Sequence, residues 1–451
     1  MITCSIIQKS RLEGAHRLDA EYYQMEYFID FTKGKWQLIG DVLGLCQYGI
    51  SKAMTEEEIG HPIFRMDDIK YAFLIEDEVK YADIPEMVYK QYKLEQNDVL
   101  FNRVNSEEFV GRTGIFKLKG DFVFASYLIR LRVKKDSEIL PDYLNIFLNS
   151  LFGIKQIRKF RRRAVNQANV NAEELKQIKI AVLPIKFQKE IEKLSDESWE
   201  NFRQSKILYS QAENLLLEEL GLSSFAKATE DEERFYIINL SEIKSAHRAD
   251  AEYFQPKYDK LISKIKCKKE KLGDLVSIKK GIEIGAEQYQ DAGKLFVRVS
   301  SLSRQGLIDK DQKYLNEELY QKLKKDFEPK AGEILLTKDA TPGIAHALKE
   351  QIEGIISGGI LRLKLKEEIQ PEYLALVINS MIGKMQAERD AGGSIIEHWK
   401  PEQIKNVLIP ILPKPTQQKI ADLVQKSHEA RKQAKELLEQ AKTKVEETIK
   451  K

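Results

Sequence analysis

A stretch of ten residues in this chain recurs with two changes. Ala15-His16-Arg17-Leu18-Asp19-Ala20-Glu21-Tyr22-Tyr23-Gln24 returns as Ala246-His247-Arg248-Ala249-Asp250-Ala251-Glu252-Tyr253-Phe254-Gln255, identical at eight of ten positions. Further matches follow at an offset of roughly 230 residues, too long for a solenoid period and right for a doubled domain. Gly49-Ile50 answers to Gly281-Ile282, and Asp98-Val99-Leu100-Phe101 to Glu333-Ile334-Leu335-Leu336. Leu128-Ile129-Arg130-Leu131 answers to Ile360-Leu361-Arg362-Leu363, and Pro141-Asp142-Tyr143-Leu144 to Pro371-Glu372-Tyr373-Leu374. Val182-Leu183-Pro184 answers to Ile411-Leu412-Pro413, and Gln188 through Ile191 to Gln417 through Ile420. The 451 residues therefore hold one fold twice, with the halves diverging between the landmarks. A shared frame with different loops suits two readers of different targets; any old duplication also produces it.

The first part of each half is mixed. Short apolar runs such as Asp98 to Phe101, Phe122 to Val133 and Ile352 to Leu365 are broken by Gly, Asp and Asn. The alternation in Leu361-Arg362-Leu363-Lys364-Leu365 has the period of a strand. Pro141 to Phe152 and Pro371 to Ile382 are expected as helices that start at Pro and end near Gly153 and Gly383. Strands and a few helices without regular alternation predict an α+β domain.

The second part of each half is expected as one long helix after a proline. Phe187, Ile191, Leu194, Phe202, Leu208, Ala212, Leu215 and Glu219 fall at steps of three, four or their sums, as do Ile420, Leu423, Ala430, Ala434, Leu437, Ala441 and Val445. Such a stripe predicts a coiled-coil seam. Helices of about 35 residues would be roughly 50 Å long. Each could pair with its duplicate or pack on its own globular part. Small residues and an acidic run between Gly221 and Arg234 mark a linker. A turn there would let the helices run antiparallel, with the globular parts at opposite ends. The expected boundaries are 1–183 and 235–412 for the mixed domains, 184–221 and 413–451 for the helices, and 222–234 for the linker.

With 42% hydrophobic and 32% charged residues the chain can bury real cores. A formal net charge of only +3 means that any basic surface must come from local segregation. Cys4, Cys46 and Cys267 lie far apart and give no disulfide framework or C-x-x-C pair. No run approaches the eighteen or so apolar residues of a membrane span, and the first residues are too short an apolar run for a secretory signal. The expectation is a cytoplasmic protein with reduced thiols and no membrane association.

The order A-H-R-x-D-A-E-Y-[YF]-Q, a strand like Asp98 to Phe101, P-x-Y-L with N-S, a strand ending in L-P and Q-x-x-I opening a long helix occurs twice. This order resembles the specificity subunits of Type I restriction-modification systems, and the resemblance covers essentially the whole chain. It implies two target-recognition domains in tandem, each reading half of a bipartite, asymmetric site in double-stranded DNA. It implies that the long helices pair as an antiparallel coiled coil that sets the half-site gap and docks methyltransferase subunits, two of them, with restriction and translocase subunits joining that core. S-adenosylmethionine, ATP and magnesium then belong to the partners in DNA methylation and host defence, and this chain has no cofactor, metal or catalytic residue of its own. A stiff coiled coil of ~50 Å exceeds one DNA turn of ~34–36 Å, which suits a fixed spacing.

Candidate DNA contacts divide into two groups. Lys155, Arg158, Lys159, Arg161, Arg162 and Arg163 place six cations within nine residues and suit phosphate contacts, as do Lys279 and Lys280; a solvated helix end without a partner gives the same pattern. Base-reading candidates lie in loops after strands: Tyr48, Ser51, Lys52, Arg65, Asn102 and Arg103 in the first half, Arg298, Thr337 and Lys338 in the second. Arg65, Arg298, Arg130 and Arg362 could instead be arginines paired inside their domains. The repeated His-Arg-x-Asp-Ala-Glu-Tyr segments, with an aromatic pair beside them, point to packing and docking rather than to a metal. His61, His346, His398 and His428 show no metal-ligand spacing.

Alternatives remain from other classes. A methylase should show an N-P-P-Y-like motif and a glycine-rich cofactor loop, and an ATPase a P-loop; neither set is present. A nuclease could be built on Asp142 with Glu174 and Lys176, but the pattern is short and lacks a match in the second half. A coiled-coil scaffold binding only proteins, and a specificity subunit serving a fused methylase-nuclease, are both compatible with the sequence.

Overall fold

The computed structural model describes residues 6–10, 12, 17–77, 79–163, 167–225, 236–308, 312–392 and 398–451. Cys4, His16, Gly393 and the expected linker beyond residue 225 lie outside the described residues. The chain forms two compact units, one of residues 1–202 with 432–451 and one of residues 203–431. The division falls inside the two long helices rather than at their starts.

In the first unit the strands are β1 (Leu43–Tyr48), β2 (Ile69–Lys70), β3 (Phe73–Leu74), β4 (Val99–Asn102), β5 (Val104–Asn105), β6 (Thr113–Ile115), β7 (Leu128–Val133), β8 (Arg162–Arg163) and β9 (Ala168–Asn169). The main sheet has the order β1-β7-β4-β6-β3-β2, and a small sheet the order β8-β9-β5. A further three-stranded sheet joins residues 123–124, 61–64 and 80–82. In the second unit β10 (Val276–Lys280), β11 (Leu302–Ser303), β12 (Gly306–Leu307), β13 (Ile334–Thr337), β14 (Ala345–Ala347) and β15 (Ile360–Leu365) give a main sheet of order β10-β15-β13-β14, with β11 and β12 as a separate hairpin. The registers coincide. Ile129 pairs with Tyr48 and Phe101, and its counterpart Leu361 with Lys280 and Leu336. Each half is thus an α+β frame, as expected.

Helices α1 (Pro141–Leu148) and α2 (Leu151–Phe160) belong to the first unit. Helix α3 (Ile185–Glu219) is the first long helix. Helices α4 (Pro371–Asn379) and α5 (Met381–Asp390) repeat the pair in the second unit, and α6 (Lys414–Lys450) is the second long helix. Proline opens α1 and α4 because its fixed φ suits the first turn, where no backbone donor is needed. Gly153 and Gly383 were expected to end these helices, but they lie in the first turn of the next ones. A Cβ there would stand 2.3 Å from the Phe147 carbonyl oxygen and 2.1 Å from that of Ile378. Only glycine lets α2 and α5 fold back so tightly; the preceding helix ends where Ser150 and Ser380 donate to the carbonyls of Phe147 and Val377.

The Leu-Pro…Gln motif has a physical basis. The buried Gln188 side chain donates to the Leu183 and Glu138 carbonyls and accepts from the Leu140 amide. Gln417 donates likewise to the Leu412 carbonyl. The amide satisfies backbone groups that would otherwise be stranded where the strand turns into the long helix.

Within the first unit the start of α3 packs on the end of α6, and the numbering runs in opposite senses: Ser198 Oγ donates to the Ala434 carbonyl at 2.7 Å, and Glu190 faces Lys444 at 4.0 Å. Within the second unit Ser427 Oγ donates to the Ser205 carbonyl at 2.7 Å. The buried positions of α3 are Gln188, Ile191, Ser195, Ser198, Phe202, Ser205, Tyr209, Ala212 and Leu216, with Trp199 beside them. This is a sustained three-four alternation. The expected seam is corrected in detail. Leu194, Leu208, Leu215, Leu423 and Leu437 flank it half-buried, Phe187 likewise, and Glu219 is exposed. Ser198 and Ser427 suit seam positions because their hydroxyls bond to backbone and their small size lets the helices approach closely.

Candidate nucleic-acid interface

In each unit the strand β4 or β13 runs out of the main sheet into a small edge. In the first unit this edge is the sheet β8-β9-β5, where Arg162 pairs with Asn169 and Asn169 with Val104. In the second unit isolated bridges replace the sheet: Gly392 pairs with His398 and His398 with Asp339. The amides of Val170 and Trp399 donate to the carbonyls of Arg103 and Lys338, which fixes the correspondence. Arg162, Asn169 and Val104 therefore stand where Gly392, His398 and Asp339 stand in the second unit.

Arg103 is held on this edge. Its Nε donates to the Ser126 carbonyl at 3.0 Å and its guanidinium stacks 4.9 Å from the Tyr48 ring centroid. Tyr48 is itself anchored, since its Oη accepts from the Ala172 amide. Tyr48 and Tyr127 are both nearly half exposed. Ser51 and Lys52 lie exposed in the loop after β1, and Lys279 and Lys280 are exposed on β10.

The basic run is less open than its composition suggests. Arg161 pairs with Glu107 at 3.1 Å and is nearly buried. Arg162 pairs with Glu174 at 2.6 Å but stays 64% exposed, and Arg163 with Glu107 at 2.9 Å while 44% exposed. Lys155, Arg158 and Lys159 lie on α2, with Lys159 against the Tyr22 ring. The strand edge offers Arg162 and Arg163; Arg161 is a structural pair.

Two base-reading candidates are corrected. Asn102 and Thr337 are wholly buried. Asn102 Nδ2 donates to the Phe109 carbonyl; Thr337 Oγ1 donates to the Thr341 carbonyl and accepts from the Ile344 amide. Both tie the end of a core strand to the following loop, a role that strand position alone does not distinguish from exposure. Arg65 pairs with Asp68 at 3.4 Å, and Arg298 lies 5.9 Å from the Tyr289 ring centroid. Arg130 and Arg362 are buried; Arg362 forms two bonds of 2.9 Å to Glu333. Lys338 pairs with Asp339 at 2.5 Å.

The repeated Arg-x-Asp segments are docking elements. Arg17 bonds Asp19 twice and donates to the Phe160 carbonyl, while Arg248 bonds Asp250 twice and donates to the Asp390 carbonyl. Each cation thus closes the C-terminal end of α2 or α5, where helix carbonyls lack partners. The nuclease grouping does not assemble. Asp142 is buried against Lys117, Glu174 caps a helix and holds Arg162, and Lys176 pairs with Glu173 at the surface. Among the described residues no group of three or more His, Cys, Asp or Glu side chains could hold a metal ion. No helix among them is long and apolar enough to cross a membrane. Cys46 and Cys267 are free and partly buried, and burial pushes both thiols up.

Asp339 and His398 were not among the expected contacts. The sequence carries only the place of His398 in the frame, since His398 and Asn169 each lie fourteen residues before the matched Leu412 and Leu183.

A duplicated frame with divergent, partly cationic edges defines a pair of related recognition modules. Residues 36–196 and 264–443 each match the Type I restriction modification DNA specificity domain, and the chain belongs to that family. Over 182 residues it is 30% identical to the putative type I restriction enzyme MjaX specificity subunit of Methanocaldococcus jannaschii, covering 39% of this chain and 43% of that protein. Over 146 residues it is 29% identical to the EcoKI specificity subunit of Escherichia coli K12, covering 32% of this chain and 31% of that protein. The matched stretches thus span less than half the length of either relative. Among solved structures, the S subunit of a Type-I restriction-modification system from M. genitalium aligns over 94% of this chain and 97% of its own, at 11% identity and a TM-score of 0.46. The HsdS subunit from Thermoanaerobacter tengcongensis aligns over 93% and 97%, at 12% identity and a TM-score of 0.29.

Proposed function

We propose that this chain is the sequence-reading subunit of a Type I restriction-modification enzyme. Each unit reads one half of a bipartite, asymmetric target in duplex DNA. The chain performs no chemistry itself; two methyltransferase subunits and the restriction and translocase subunits dock on it and bring S-adenosylmethionine, ATP and magnesium. The observation that carries this reading is the pair of frames in identical register whose edges present different side chains: Arg103, Asn169 and Tyr48 in one, Lys338, Asp339 and His398 in the other. Two nonidentical readers predict two different half-sites rather than a palindrome.

The gap between half-sites follows the length of α3 and α6, which are unbroken over 35 and 37 residues. The test selects bound sequences from a randomised duplex library, with the full chain assembled with its methyltransferase subunits. A split, asymmetric consensus is expected. Lengthening both helices by one heptad adds ~10.5 Å and should widen the gap by about three base pairs, leaving both half-sites as they were. An unchanged gap would refute the spacer role, and binding of proteins alone would refute DNA reading.

A further inference from the structure

We infer that His398, oriented by Asp339, is a specificity-determining DNA contact of the second unit. This rests on the DNA-reading role proposed above. The imidazole is 59% exposed, and its Nδ1 lies 2.7 Å from Asp339 Oδ1. A carboxylate at Nδ1 fixes the ring and its tautomer, so that Nε2 becomes a single polar atom held in one place. An exposed histidine without such a brace would sample several rotamers and read poorly.

The surroundings favour a base edge over a phosphate. Asp339 is mostly buried, and although burial pushes its carboxyl up, the bonds from Lys338 and His398 hold it below the ordinary carboxylate range. Its second oxygen is taken by Lys338 at 2.5 Å. The Lys338–Asp339 pair is neutral overall, so the edge beside His398 holds no net cation to draw a phosphate, and the acceptor Nε2 of the Asp339-held tautomer suits donors such as an exocyclic amino group. The first unit presents different side chains, with Arg162 and Asn169 in the matching places and Tyr127 nearby. In the second unit Gly359 takes the place of Tyr127, as the matched bonds from the amides of Lys338 and Arg103 establish. A Cβ at Gly359 would stand 3.4 Å from Asp339 Oδ2 and 2.8 Å from a Val299 methyl. At Gly359 the rim beside the pair therefore carries no side chain, because Val299 and Asp339 take the space that one would need.

The test repeats the library selection with His398→Ala, His398→Gln, Asp339→Ala and Asp339→Asn in the assembled full chain. His398→Ala should lose discrimination by roughly 5- to 150-fold at one or two adjacent positions of one half-site. The other half-site should be unchanged. Asp339 acts as a positioning residue: Asp339→Ala should relax the same positions, and Asp339→Asn, which can still accept from Nδ1, should restore most of the preference. His398→Gln keeps a polar side chain of similar reach and should change which base is preferred at those positions. Unaltered selection by both His398 variants overturns the inference. So does uniform weakening at an unchanged consensus, which would make His398 a phosphate contact. A wild-type chain that selects no split sequence overturns the DNA-reading role itself, a result distinct from either.

Discussion

The two units fill the same place under their sheets in opposite ways. In the first, the hairpin β2–β3 supplies the ring: Phe73 lies 5.1 Å from Trp199 of α3, and the strand beside it has Gly114. A Cβ at Gly114 would stand 2.9 Å from the Phe73 carbonyl carbon, so no larger residue fits. In the second, the hairpin supplies Gly306 and the strand supplies the ring, His346, which lies 5.0 Å from His428 of α6. Gly114 and His346 pair with the matched Leu100 and Leu335, and Trp199 and His428 each follow the matched glutamine by eleven residues. A ring reaches the long helix from the hairpin in one unit and from the neighbouring strand in the other. The chemistry is not kept. An apolar aromatic pair has become a titratable one, and burial, with help from His346 and Arg431, pushes His428 down to about 3.

A second contrast lies across the main sheets. Glu333 is held by Arg362 through two bonds, whereas its counterpart Asp98 is held by Arg132 through two bonds with Arg130 at 3.7 Å. Duplication kept a buried carboxylate and let the identity of its principal cation drift by one turn of the pleat.

These contrasts can be broken by mutation. Phe73→Ala should cost the first unit ~3–5 kcal/mol by leaving a cavity. Gly114→His should also be destabilising, and Phe73→Gly should not rescue it, because the Phe73 carbonyl that bars a Cβ there is backbone. A double mutant clearly less costly than the sum in a urea double-mutant cycle would refute this. Arg362→Met should cost the second unit ~3–5 kcal/mol, because the buried Glu333 carboxylate would be left without its cation. Arg132→Met should cost clearly less, since Arg130 remains; equal shifts in hydrogen-exchange protection would deny the difference.

The histidine pair gives a pH dependence confined to the second unit. A histidine with folded pKa near 3 favours the neutral form in the folded state. Its contribution is complete above the ordinary value of about 6.5 and is lost as pH falls from there toward about 3. The groups facing it include His346, Tyr209 and Arg431. His428→Phe should remove ~2–4 kcal/mol of acid sensitivity from the second unit and leave the first unchanged; an unaltered acid profile would refute this. The smallest effect concerns DNA. Arg162→Ala with Arg163→Ala should weaken binding at an unchanged consensus and lower the salt slope by up to about 1.8, near 0.9 for each phosphate no longer neutralised. Arg161→Ala should leave that slope alone. A shifted consensus would make these arginines base readers.

Much of the frame was legible because the chain states it twice. The landmarks predicted paired strands, the prolines predicted helix starts, and the three-four stripe predicted the long helices. The seam was misread where Ser198, Ser205 and Ser427 occupy buried places, because periodicity alone favours large apolar residues and cannot credit a hydroxyl that bonds across to the facing helix. The candidate edge was legible in outline through Tyr48, Arg103 and the basic run. It was not legible that Asn102 and Thr337 point inward, that Arg161 is committed to Glu107, or that Asp339 and His398 meet from positions 59 residues apart.

The order of residues by itself determined the doubling, the element types and the correspondence between the halves, since these depend on local periodicity and on repeated landmarks. Which side chains face outward was decided only in three dimensions. A strand end looks alike in sequence whether its side chain is capped by a carbonyl or open to a partner, and hydrogen bonds between segments distant in the chain settle the choice.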